Sequence, residues 1–387
     1  MPAYRVQFAH SSESSPINVK QNNNGIAREV THCRICDSTD LLRYLNLGMM
    51  PLANNLAASE HDAKNMQRYP MQVQYCRDCS LSQLTVVIDP REMFSNYAYR
   101  SSISRTYIDH CRVMARSMRD SLGLKKGDLV VDIAGNDGAL LSVFKDELGV
   151  RVVNVVSAAK NCLSEDGTLM LEFPYGVDFI EHREFDTIYF EHLSYVLLEP
   201  VRRLAESLGM VVFDVQKQEI HGGTIRVFIG NKGRHDVLPA VAEFIAHEKR
   251  EGYHAVEIYE AWNSEIDELI AELVMEIKAL KSGGARIAAF AASAKGNTLL
   301  NACHFDGETV DYIVDDTPEK IGRFSPGTGI PIVNRDVLAK NPPDYLLILA
   351  WNFAKDIIES TAEFSAAGGK YIIPIPGFKI LGTDREA

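Results

Sequence analysis

The chain has 387 residues, of which 46% are hydrophobic, with a formal net charge of −12 and a pI near 5.4. That is enough apolar material for two or three packed domains, and it excludes a disordered or fibrous protein. The acidic balance and the lack of a dense Lys/Arg tract argue against nucleic acid or an anionic membrane as a partner.

The first thirty residues, with Ser11-Ser12-Glu13-Ser14-Ser15 and Asn22-Asn23-Asn24, hold no apolar run fit for a signal core and read as a mobile tail. No later stretch reaches membrane-spanning length, so the expected location is the cytoplasm. Residues 31–88 contain two CxxC pairs, Cys33-Arg34-Ile35-Cys36 and Cys76-Arg77-Asp78-Cys79, among short strand-like pieces such as Met71-Gln72-Val73-Gln74-Tyr75. Two such knuckles can close a tetrahedral structural zinc site on Cys33, Cys36, Cys76 and Cys79 with no position left for water. Seven cysteines in all, an odd number, fit metal ligation in a reducing compartment better than a disulfide framework. A redox dithiol fits less well, because neither pair opens a helix after a strand.

Residues 89–125 read as a polar loop leading into a helix, since Ile108, Cys111, Met114 and Met118 recur at helical spacing. An apolar run from 129 to 132 then enters Ala134-Gly135-Asn136-Asp137-Gly138 and a helix through Leu140, Leu141 and Phe144. Strand, glycine-bearing turn and helix make up the opening unit of a nucleotide-binding α/β domain, although Asn-Asp-Gly is also ordinary turn chemistry. Further strands are expected at 151–155, 168–173, 211–215 and 224–229. Residues 233–284 form a helical connector, with Phe244, Trp262, Ile266, Leu269, Leu273, Ile277 and Leu280 on one stripe and Gly283 and Gly284 at its end. From 285 to 387 strands at 286–290, 310–314, 345–350 and 371–375 alternate with helices or loops, which predicts a second, mostly parallel sheet. Ligands bind by default at the carboxyl ends of such strands.

Many motifs, in order, resemble the sugar C-methyltransferases that act at C3 of thymidine-diphosphate-linked 4-keto deoxysugars. Besides the zinc knuckles they are Pro51-Leu52-Ala53-Asn54, Tyr97-Ala98-Tyr99-Arg100-Ser101-Ser102, 132–138, Glu172-Phe173-Pro174-Tyr175, Tyr189-Phe190-Glu191-His192 and His221-Gly222-Gly223. In the last segment they are Ala292-Ser293-Ala294-Lys295-Gly296-Asn297, Pro326-Gly327-Thr328 and Ala350-Trp351-Asn352. The resemblance implies an α/β fold with a zinc module, an S-adenosylmethionine-binding Rossmann domain over 89–232 and a C-terminal Rossmann-like domain. It also implies S-adenosylmethionine as methyl donor beside the structural zinc, and a nucleotide-linked deoxysugar as partner. Asp132, Gly135, Asn136, Asp137 and Gly138 would cradle the donor, with Tyr97 and Tyr99 shaping the entrance.

In one place the chain departs from the family pattern. Only 34 residues lie between Gly138 and Phe173, where the family's strand–helix steps would take roughly 100. The simplest account is an internal deletion of about two such steps, which removes the ribose-binding carboxylate and much of the adenine pocket and truncates the Rossmann domain. The remaining strands must then re-pair or leave an edge exposed, and the donor site comes into question.

Methylation at C3 of a 4-keto sugar needs a base, stabilisation of the enolate and a methyl sulfonium in line. His192 is the preferred base, with Glu191 orienting it or sharing the proton and Tyr189 donating to the enolate oxygen. A turn beginning near Glu191 is needed to bring the three together, because in an extended chain His192 faces away from the other two; from pattern alone Tyr189 also reads as a core aromatic. His221, before two glycines, is a second acid/base or sugar-binding candidate or a structural histidine. Ser293 and Lys295 near a helix start could receive a diphosphate, although Lys295 also reads as a surface lysine, and Trp351 and Asn352 end another strand of that sheet. Two alternatives to methyl transfer remain: a donor-less relative that epimerises the sugar or exchanges its C3 proton, and a non-catalytic sugar-nucleotide-binding protein.

Overall fold

The computed structural model describes residues 25–94, 105–126, 128–132, 139–146, 151–154, 163–220 and 222–382. Near the N-terminus, strands Leu41–Met50, Tyr69–Cys76 and Ser82–Leu84 pair antiparallel. All eight residues of Tyr69–Cys76 are buried, polar ones included, because the strand is central and covered on both faces. The sheet takes its fourth strand, Ser194–Tyr195, from far along the chain, so this module is welded to the segment that carries Tyr189 and His192.

The middle of the chain is split. Strands Met210–Gln218, Thr224–Asn231 and Thr168–Pro174 form an antiparallel sheet with Thr224–Asn231 at its centre. Leu129–Asp132 and Arg151–Asn154 form a separate parallel pair with helix Ala139–Asp146 between them in sequence. Among the described residues no ladder joins the two sheets. What bridges them is helix Arg105–Leu122: its Cys111, Met114, Ala115 and Met118 pack on Val143 and Phe144 beside one sheet and on Phe228 of the other, the stripe that their spacing predicts.

The connector is two helices, Pro239–Arg250 and Val256–Ser282, parted by a turn in which Gly252 adopts φ +82°. Tyr259, Trp262, Ile266, Leu269, Leu273 and Ile277 are buried at i, i+3/i+4 spacing on the second. In the C-terminal sheet the order is Ile332–Val333, Ile313–Val314, Ile287–Phe290, Tyr345–Ile348, Lys370–Ile373 and Lys379–Leu381. The first five are parallel and the last is antiparallel. No helix among the described residues is long and apolar enough to cross a membrane.

The N-terminal module also clasps the C-terminal domain. Arg68 donates to Gly327 O at 2.8 Å and to Asn301 Oδ1, and Ala57 bridges to Phe324. Pro326-Gly327-Thr328, one of the motifs shared with the family, is thus a docking point between domains.

Candidate active site

Cys33, Cys36, Cys76 and Cys79 place their sulfurs within 4.8 Å of one another. Without a cation, the Cys79 thiol that lies 3.4 Å from Cys33 holds the Cys33 thiol low and is itself pushed high. Four thiolates this close need a divalent cation to coexist, and a closed set of four cysteines suits structural zinc.

The segment after strand Thr168–Pro174 runs through helix Gly176–Glu181 and the short 3-10 turn Phe185–Thr187 into a tight turn closed by His192 N donating to Tyr189 O at 2.9 Å. The turn therefore begins at Tyr189, two residues before the expected position. It sets the Tyr189 hydroxyl 2.7 Å from His192 Nε2, while His192 Nδ1 lies 2.9 Å from Thr187 O. A carbonyl can only accept, so neutral His192 carries its proton on Nδ1 and Nε2 accepts from the phenol. The basic nitrogen is thus covered by Tyr189.

Glu191 and His192 both wall a cavity of about 230 Å³ together with Phe173, Phe179, Thr187 and Tyr195. The Glu191 carboxylate, however, is bound by Asn54 Nδ2 at 2.9 Å and not by His192. Burial pushes the Glu191 carboxyl up, with the Asn54 bond acting against it.

On the other side of this segment, Gly222 (φ +92°) and Gly223 (φ +129°) lie directly on Glu184 and Asp178: a Cβ at either would overlap those carboxylates. Asp178 also pairs with Lys217. Lys295 approaches Glu184 Oε2 at 3.4 Å and sits 4.8 Å over the Trp351 ring, whose Nε1 donates to Asp186 at 2.8 Å. Ser293 caps helix Ala294–Ala302, its Oγ accepting from Gly296 N, and Asn352 is half-buried in the turn Trp351–Phe353. Lys295, Trp351 and the 184–192 segment do converge, but Lys295 faces the acidic side chains of Glu184 and Asp186, which compete with a diphosphate for it. Tyr97, Tyr99, Gly135, Asn136, Asp137, Gly138 and His221 lie outside the described residues; of Asp132 the structure describes the backbone, at a strand end.

For the methyl donor, a strand, a helix and a parallel second strand follow in the right order at Leu129–Asp132, Ala139–Asp146 and Arg151–Asn154. Its second strand ends at Asn154, an amide where the family's ribose carboxylate is expected, so the described residues fit the donor only in part. Asn54, Glu184, Asp186 and Asn297 were assigned no role from sequence. Asn54 and Asn297 stand in motifs shared with the family, and Asp186 is a lone acid in the run Phe185-Asp186-Thr187-Ile188, which were the available signals.

A mixed α/β chain braced by a four-cysteine metal module is the class that this architecture defines. Residues 33–94 match a zinc-binding domain family, and residues 219–376 match the C-methyltransferase C-terminal domain family. The sequence is 32% identical to C-methyltransferase NovU of Streptomyces niveus, covering 93% of this chain and 99% of the relative. The chain belongs to the sugar C-methyltransferase family, whose enzymes are S-adenosylmethionine-dependent C-methyltransferases. The match extends over 415 positions, more than the 387 residues of this chain.

Proposed function

We propose that the protein methylates C3 of a nucleotide-diphosphate-linked 4-keto-deoxysugar, with Tyr189 and His192 as the proton-abstracting pair. The observation that supports this most is the 2.7 Å contact between the phenol and the unprotonated nitrogen beside a cavity. The C3 proton, acidified by the neighbouring carbonyl, moves to the Tyr189 oxygen as the phenol proton moves to His192 Nε2. Thr187 O keeps the Nδ1 proton of the resulting imidazolium. Bound S-adenosylmethionine supplies an electrophilic methyl to the carbon so freed.

A second reading, exchange of the C3 proton without methyl transfer, is favoured by the break between the two middle sheets and by Asn154. One experiment separates the readings. Zinc-loaded protein is incubated in deuterated water with S-adenosylmethionine and thymidine-diphosphate 4-keto-deoxysugars, and C3 is followed by NMR. A new methyl signal supports the first reading, and deuterium alone supports the second. Neither signal from folded protein would overturn both and leave a binding protein. Tyr189→Phe should lower C3 exchange by about 10²–10⁴-fold.

A further inference from the structure

The loop 51–54 belongs to the zinc module by sequence, yet it also reaches into the other two domains. Leu52 and Ala53 are buried, and Ala53 O accepts from Asn297 Nδ2 at 2.7 Å. On the same helix, Ala294–Ala302, Thr298 donates to Ile188 O at 3.2 Å, one residue before Tyr189. A single helix thus pins both the loop that carries Asn54 and the segment that carries Glu191. Between them, Asn54 Nδ2 donates to Glu191 Oε1 at 2.9 Å, while Glu191 Oε2 has no hydrogen-bond partner among the described residues.

We infer that the zinc module buttresses a wall of the active site and that Asn54 is its positioning residue, holding the Glu191 carboxylate in the cavity wall beside His192. A carboxylate this buried needs a donor to stay ionised and to keep one rotamer, and Asn54 supplies it. Among the described residues, Glu191 meets Asn54 from the zinc module and shares the cavity wall with His192 from its own turn and Tyr195 from the strand shared by the two modules. None of these described neighbours is a lysine or arginine, so the amide is the main counterweight to burial. The effect of this contact on catalysis rests on the proton abstraction proposed above, whereas the contact itself does not.

The test titrates Glu191 directly. Full-length zinc-loaded protein is labelled with 13C at the glutamate carboxyls, and the Glu191 resonance is assigned by its loss in Glu191→Gln. A hydrogen bond to a charged group is strong enough that Asn54→Ala should raise the Glu191 titration midpoint by about one pH unit. The acid limb of C3 proton exchange should move up with it, while zinc content stays at wild-type level. Asn54→Asp keeps the side-chain volume, so it serves if the alanine variant does not fold; a second carboxyl there should raise the midpoint further. An unchanged midpoint in a folded variant overturns the inference. Wild-type protein that neither exchanges nor methylates any sugar overturns the proposed function instead, and the NMR titration still decides the role of Asn54.

Discussion

Asp186 is fully buried beside Lys295 and Trp351. Burial pushes its carboxyl from an ordinary 3.8 up to about 6, against the pull of Lys295 and the Trp351 bond. A carboxyl whose folded value is raised contributes stability that is complete below its unfolded value and is lost as pH rises through the folded one. At pH 7 an ionised Asp186 therefore costs stability. Asp186→Asn, which retains an oxygen for Trp351, should raise stability at pH 7 by about 2 kcal/mol. The gain should shrink between about pH 6 and pH 4, and thermal melts at several pH values check this. If the variant also loses sugar exchange, the buried charge is kept for the site and not for the fold. Glu191, His192 and Lys295 were legible in the sequence as candidates, but their partners Asn54, Thr187 O and Glu184 were not, since these lie on other turns and domains.

Among the elements, strand Thr168–Pro174 shows how a family motif can be structural. Its Glu172 stands opposite Arg226 on the central strand and binds it at 2.6 Å, while His110 from helix Arg105–Leu122 binds the other oxygen at 2.6 Å. Burial works to raise the Glu172 carboxyl, and its bonds to His110 and Arg226 outweigh it, so its pKa is lowered. Glu172→Gln leaves the Arg226 guanidinium, whose side chain is 3% exposed, without a counter-charge. The expected loss of stability is roughly 3 kcal/mol or more, read from denaturant melts. A loss below about 0.5 kcal/mol would mean that water reaches Arg226. The apolar stripe of the connector predicts one long helix where the structure has two, and Gly252 was the available sign of the break, since a left-handed residue ends a helix that periodicity alone would continue.

At the scale of the whole molecule, the zinc module acts as the brace of the fold. Its sheet borrows Ser194–Tyr195, its loop reaches Glu191 and Asn297, and Arg68 reaches the C-terminal domain. Structural zinc contributes on the order of 10 kcal/mol in small modules that it organises. Cys76→Ser or removal of the metal should therefore lower the melting temperature and abolish C3 exchange together. Metal analysis, calorimetry and the NMR exchange assay check this. Exchange that survives full metal loss would show that Asn54 holds Glu191 without the zinc.

The sequence by itself determined the parts: four thiolates in two knuckles, a helical stripe, parallel strand–helix alternation near the C-terminus, and a short central domain. These are local or periodic signals, and the chemistry of each residue type carries them. Only the tertiary structure decided that the described middle strands fall into two sheets, that Tyr189 covers the basic nitrogen of His192, and that Lys295 faces acids. It also showed that Asn54, 137 residues away in sequence, binds Glu191. Such pairings arise where separate elements bury their polar groups against one another. A buried donor must find an acceptor, but nothing in the spacing of residues along the chain says which one.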